Sequence, residues 1–297
     1  MFDITILTDK RYLSNNPNDS YSENVLLEDS LLKKALEKNG LKVTRTNWDD
    51  DNFDWSKTKY AIFRSTWDYF DRYPEFSEWL NQAKELTTFI NPYELIEWNI
   101  DKHYLAELES EGIRIPNSLF IEKGDHRTLK EVISEVDWEE FILKPVISGG
   151  GRHTYRFEKD ETEKLEVIFA KLLQNESWML QEFQKQITTK GEVAFMIFGG
   201  KYSHSVLKKA KEGDFRVQDD FGGTIHPYEA TKKEIAFVEK IFQSVSPTPI
   251  YARVDVLWDN DDQLCLGEIE LIEPELWFRM NENSAQLCAD AIFQMMK

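Results

Sequence analysis

Three carboxylates near the C-terminal end, Asp255, Glu268 and Glu270, fall in two β-patterned stretches joined by the polar turn Asp259-Asn260-Asp261-Asp262. A turn of that kind joins adjacent antiparallel strands. Period-two alternation then puts Glu268 and Glu270 on one face, opposite Ile269 and Leu271. Acids flanked by apolar residues are costly to bury unless paired or bound to metal. Gathered on one face, they suit Mg²⁺ (or Mn²⁺), which takes oxygen ligands and shares them with phosphate and water. An exposed sheet face in an acidic protein would give the same pattern.

A second group surrounds a glycine run. Leu143-Lys144-Pro145 reads as a strand end that feeds Ser148-Gly149-Gly150-Gly151-Arg152-His153-Thr154. Glycines let a backbone approach a ligand, successive N–H groups make an anion-binding concavity, and Lys144 adds a point charge for phosphate oxygens. The spacing matches neither a Walker loop nor a dinucleotide fingerprint, and a hairpin loop with a solvated lysine fits the same residues. Lys208, Arg216 and Arg253 form the third group. Arg253 precedes Asp255 by two, so on a strand both point one way, and a cation and a metal ligand would share a site. Phosphoryl transfer needs that arrangement. For any one of the three, an ordinary surface ion pair is the alternative. Gln181-Glu182-Phe183 and Gly191-Glu192 are unremarkable alone.

The elements that must carry these residues come in two styles. The first ninety residues alternate: strands at Ile4–Leu7, Leu41–Thr44 and Tyr60–Phe63, helices around Leu26–Leu36 and Phe76–Leu86, then the turn Asn91-Pro92. Such alternation predicts a doubly wound parallel sheet, whose ligands bind beyond the carboxyl ends of its strands. Arg64-Ser65-Thr66-Trp67-Asp68-Tyr69 falls there and is a candidate substrate loop, or equally a structural corner around a buried Trp67. A helix at Asp101–Glu111 follows, then a strand–helix–strand stretch through Pro145, a helix at Thr162–Leu173 and a strand at Trp178–Phe183. From Gly191 the pattern is mostly β, with strands at Val193–Phe198, Tyr202–Lys208, Tyr251–Leu257 and Leu264–Leu271. Helices at Lys232–Gln243 and Ala285–Met296 break and close it. No internal repeat or Ser/Gly/Pro linker separates independent domains.

Composition narrows the partners. The 297 residues carry 36 basic and 54 acidic side chains, a formal net charge of −18. That surface repels phosphate backbones and anionic lipids, so neither nucleic acid nor membrane is expected as a partner. Cys265 and Cys288 are too few for a disulfide framework. With no signal peptide or membrane span in the pattern, a cytoplasmic enzyme acting on a small molecule is expected, with a homodimer left open.

In this order, Asp101-Lys102, Lys144-Pro145, Ser148–Thr154, Gln181-Glu182-Phe183, Gly191-Glu192, Arg253-Val-Asp255 and Glu268-Ile-Glu270 resemble the ATP-grasp superfamily, with a glutathione-synthetase-like ATP-binding fold. The resemblance implies ATP and two divalent ions, Mg²⁺ or Mn²⁺. It further implies Lys102 and Lys144 on the nucleotide phosphates, an adenine hinge at Gln181–Phe183, Glu192 on the ribose, metal ligands Asp255, Glu268 and Glu270, and Arg216 and Arg253 on the γ-phosphate or an acyl-phosphate. Residues 1–98 would form the N-terminal αβ substrate domain and 99–297 the ATP-grasp domain, with 117–183 as a smaller lid lobe and a mostly antiparallel C-terminal lobe. Many relatives carry Asn where Glu270 stands, followed by a Ser-Pro-Gly type loop. Here Leu271-Ile272-Glu273-Pro274-Glu275 follows, so Glu273 and Glu275 would favour a cationic or hydrogen-bond-donating group. With Trp98–Lys102 and Asp214-Phe215-Arg216-Val217-Gln218, the set looks most like the subgroup that contains the cycloserine-forming cyclo-ligase. An ATP-dependent ligase is implied: a carboxylate attacks the γ-phosphoryl group, and an amine displaces phosphate, in one molecule or between two. Arg253, Arg216 and Lys208 would act at the transferring group. A small-molecule kinase and a nucleotide-binding protein without catalysis are the alternatives.

Overall fold

A computed structural model describes residues 1–16, 19, 21–217 and 221–297; Gln218 of the motif noted above lies outside them. The alternating start folds as expected. Strand β1 (Phe2–Thr8), helix α1 (Tyr21–Lys38), β2 (Val43–Asn47), β3 (Thr58–Ser65), α2 (Tyr73–Ala83) and β4 (Thr88–Ile90) build a parallel sheet in the order β2-β1-β3-β4. Its strands are apolar on both faces because helices cover both. Leu32 and Leu36 of α1 pack with Ile4 and Ile6 on one side. Phe76 and Leu80 of α2 pack with Leu7, Ala61 and Phe63 on the other.

The helix expected at Asp101–Glu111 is α4 (Tyr104–Ser110), which starts three residues later, and a helix the pattern did not show, α3 (Tyr93–Ile100), precedes it. Asp101 is extended (φ −103°, ψ 121°), and its Oδ1 accepts from the His103 N–H at 3.0 Å, a local bond that competes with the helix. The break leaves Lys102 between helices, its N–H donating to Val146 O at 3.0 Å.

Strands β5 (Ser118–Ile121), β6 (Glu140–Pro145), β7 (Tyr155–Glu158) and β8 (Trp178–Glu182), with α5 (Leu129–Ile133) and α6 (Thr162–Leu172), form a small antiparallel layer in the order β5-β8-β6-β7. After α7 (Gln186–Thr189) comes the largest sheet, from β9 (Glu192–Phe198), β10 (Lys201–Lys209), β11 (Thr224–Tyr228), β12 (Tyr251–Trp258) and β13 (Leu264–Glu270). Its order is β11-β10-β9-β12-β13, all antiparallel. α8 (Lys232–Gln243) starts on a capping box, Thr231 with Glu234, and α9 (Ser284–Met295) packs on α1. The edge strands β7 and β11 were not legible in the pattern; β11 contains Pro227, which a sheet edge tolerates.

Two buried asparagines, Asn91 just after β4 and Asn99 on α3, fasten the N-terminal elements to the largest sheet. Asn91 Nδ2 donates to Tyr251 O (2.9 Å) and Leu271 O (2.8 Å), and its Oδ1 accepts from Ile250 N–H (2.6 Å). Asn99 Nδ2 donates to Ile269 O (2.8 Å), while its Oδ1 accepts from Leu271 N–H (2.7 Å). Among the described residues no helix is long and apolar enough to cross a membrane.

Candidate active site

Where the three sheets meet there is a cleft of about 560 Å³. Its floor is the largest sheet. The register sets Asp255 opposite Glu268 and Arg253 opposite Glu270, with Lys208 of β10 opposite Glu192 of β9. Gly191 makes the last pairing feasible: its φ is +84°, and a Cβ there would lie 2.3 Å from Lys208 O.

These charges neutralise one another. Lys208 Nζ lies 2.9 Å from Asp255 and also pairs with Glu192. Arg253 donates from Nε (3.0 Å) and Nη2 (2.9 Å) to Asp255, and it pairs with Glu270. Lys102 Nζ reaches Glu268 (2.7 Å) and Ser148 O (2.7 Å). Burial opposes ionisation of Asp255, yet Arg253 and Lys208 outweigh it and hold the carboxyl below its usual value; Lys102 and Lys144 do the same for Glu268. Glu270 goes the other way, pushed up to about 8 by burial and the surrounding acids despite Arg253. Lys144 has no ion-pair partner among the described residues, and desolvation lowers its ammonium to about 8. A group without a partner in a charged cleft is a cation available to a ligand.

The remaining walls differ in character. Pro116, Ile142, Phe183, Ile187 and Leu257 make an apolar slot beside Gln181 and Glu182, suited to a flat ring. The glycine run Ser148–Gly151 and Thr154 form the roof with Arg216, which is held by Asp214 (2.7 Å) and lies 3.8 Å from the Phe221 ring centre. At the far end stand Tyr12, Tyr21, Trp67, Glu273, Glu275 and Trp277. Trp67 Nε1 donates to Glu273 O at 2.9 Å. Glu275 is engaged by Tyr21 and Arg279, whereas burial pushes Glu273 up to about 7 even though Tyr69 bonds to it.

Lys102, Lys144, the glycine run with Thr154, Gln181–Phe183, Glu192, Lys208, Arg216, Arg253, the three carboxylates and Glu273 therefore line one cleft. The substrate loop is a partial exception. Only Trp67 of the 64–68 run reaches the wall. Arg64, Ser65 and Thr66 are buried behind it, because β3 continues through Ser65 into the interior; Arg64 lies 5.5 Å from the Phe278 ring centre. Asp68 instead accepts from Trp48 Nε1 (2.8 Å) and Arg72 (2.6 Å). Asp255, Glu268 and Glu270 have the hard oxygen donors Mg²⁺ requires, but with their cations in place no group of three or more such side chains among the described residues converges on a metal position. The sequence reading missed Trp277, a left-handed residue (φ +42°) at the wall, and Phe70; neither belongs to a recognisable motif.

Known proteins share this fold. Residues 115–274 match the family profile "Prokaryotic glutathione synthetase, ATP-grasp domain", and residues 4–91 match "D-cycloserine synthetase DcsG, N-terminal domain". The cycloserine biosynthesis protein DcsG of Streptomyces lavendulae is 25% identical over 284 residues, covering 90% of this chain and 93% of that protein. The crystal structure of D-cycloserine synthetase DcsG superposes with a TM-score of 0.87 at 23% identity over 99% of both chains. D-alanine–D-alanine ligase from Bacillus anthracis, complexed with ATP, gives 0.63 at 13% identity over 99% of this chain and 97% of that one.

Proposed function

The chain belongs to the family of the prokaryotic glutathione synthetase ATP-grasp domain, and we infer from that membership that it is an ATP-dependent ligase forming a C–N bond. The observation that carries the reading is the cleft itself: paired acids and cations on a rigid floor beneath a glycine run, with Lys144 left unpaired between them. ATP would place its base in the slot beside Gln181–Phe183, its ribose near Glu192 and its phosphates toward Lys102 and Lys144. Asp255, Glu268 and Glu270 would hold Mg²⁺ or Mn²⁺, as two ions; the metal supplies countercharge to the phosphates. The cations now paired with those acids, Lys208 and Arg253 above all, would then turn to the transferring phosphoryl group, with Arg216 at the roof.

A carboxylate or similar group attacks the γ-phosphorus and ADP leaves. A nitrogen nucleophile then adds to the acyl-phosphate carbon, loses its proton and expels phosphate. Similarity to a cycloserine biosynthesis protein favours closure within one molecule. The non-activated end of the substrate meets Glu273, whose carboxyl near neutrality suits an amine, guanidine or urea-like nitrogen rather than a second carboxylate. In this proposal residues 1–98 bear the substrate wall, 99–297 the ATP-grasp unit and 117–183 its lid, and the enzyme acts in the cytoplasm, with dimerisation open. Thermal denaturation with MgATP tests the core of it. Nucleotide should raise the melting temperature by mass action; no rise with MgATP or MgADP refutes the reading. Phosphate release that depends on an added amine-bearing acid separates ligation from simple phosphoryl transfer.

A further inference from the structure

The glycine run is held by rings as well as by hydrogen bonds. A Cβ on Gly149 would lie 2.5 Å from Cε1 and 2.9 Å from Cδ1 of Phe70, closer than real Cβ atoms come. The backbone does not explain that glycine: Gly150 (φ +56°) and Gly151 (φ +71°) are left-handed, but Gly149 is not. Space is what excludes a side chain there, and the space is taken by Phe70.

That ring is itself fixed. Phe70 meets Tyr69 at 5.3 Å between centroids, and Tyr69 meets Phe76 at 4.7 Å, inside the aromatic core of the first sheet. The same turn carries Trp67, bonded to Glu273 O, and Asp71, 3.2 Å from Arg152 in the run. Five residues thus touch the far wall of the cleft at one end and its roof at the other. The ion pair is the weaker contact, since Asp71 is 59% exposed and Arg152 also bonds Glu176 at 3.0 Å.

We propose that Phe70 is a positioning residue for the glycine run: through this ring the N-terminal lobe sets the height of Gly149 above the phosphate end of the cleft. The role rests on the nucleotide site proposed above. It makes roof geometry answer to the turn that also bears the substrate wall.

A double-mutant cycle tests it, with a non-hydrolysable ATP analogue plus Mg²⁺ as probe and calorimetric affinity as readout. Gly149→Ala should weaken binding about tenfold, and in a Phe70→Ala background the same change should cost less than about threefold, because the room has been made. Phe70→Leu replaces Phe70→Ala should the latter lose its cooperative melting transition. A second readout needs no nucleotide: tryptic cleavage of the Arg152–His153 bond should be faster in Gly149→Ala than in wild type, and closer to the Phe70 variant's own rate in the double variant. Equal penalties for Gly149→Ala with and without Phe70, or no penalty at all, overturn the proposal. Failure of the wild type to bind the analogue instead refutes the nucleotide site, and the cleavage cycle then decides the role of Phe70 alone.

Discussion

The floor and the roof of the cleft are built on different physics. On the floor, Asp255, Glu270 and Glu192 meet Lys208 and Arg253 across strands in fixed register, and Glu268 meets Lys102 from between α3 and α4, each charge answered by another. The roof is a glycine run steadied by Phe70 on one side and Phe221 on the other, with few charges of its own. Buried charges tolerate little displacement, because separating a pair strands both members in a medium that solvates them poorly. A ring against a glycine can part and rejoin at small cost. The floor is thus suited to holding position while the roof admits a ligand.

The sharpest way to break this contrast is Asp255→Asn. It removes the shared partner of Lys208 and Arg253, so stability should fall by about 3–5 kcal/mol in denaturant titration, together with loss of turnover. A variant as stable as wild type would mean the floor does not depend on its pairs.

Glu273→Gln probes the border between the two regions. An ordinary glutamic acid ionises near 4.5, but Glu273 keeps its proton to about 7 in the folded chain. Between those values the folded state binds more protons than the unfolded one, so stability falls as pH rises, by about 3 kcal/mol once both states are ionised. The variant should lose that slope and gain on wild type between about pH 5 and pH 8; parallel pH profiles would refute the assignment.

Lys144→Ala should weaken nucleotide binding about tenfold, roughly 1.4 kcal/mol, in the calorimetric assay. Because desolvation already disfavours its ammonium, the ligand-free melting temperature should not drop. The smallest effect belongs to Asp71→Asn, expected within about 0.5 kcal/mol for so exposed a pair. A larger loss would show that the roof is held by charge after all.

Much of the floor was readable in the chain. Alternation and one polar turn put Asp255 and Glu268 on adjacent antiparallel strands, and the structure adds the register that sets them opposite each other. The parallel sheet followed from alternating elements. Lys102 was harder: the helix read from Asp101 starts only at Tyr104, and the side-chain bond that holds Asp101 extended is one no periodicity reveals. Arg64 and Thr66 were misplaced because strand β3 runs on past the point where its apolar pattern ends. Phe70 and Trp277 depend on contacts with residues about 80 and 24 positions away, Gly149 and Arg253, and spacing carries no signal for those.

Asn91 and Asn99 have a consequence for how the molecule breathes. Asn91 links the start of β12 to Leu271, and Asn99 grips Ile269 and Leu271 at the end of β13, so the N–H groups of Ile250 and Leu271 are locked to side chains rather than to a neighbouring strand. Opening the Ile250 amide requires the end of the first sheet to leave β12, and opening the Leu271 amide requires α3 to leave the end of β13. Deuterium should therefore enter those two amides only on near-global unfolding, while the 148–154 segment labels early. The same stitching makes a single asparagine-to-alanine change at 99 a way to convert slow, global labelling of the β13 end into fast, local labelling without touching any group in the cleft.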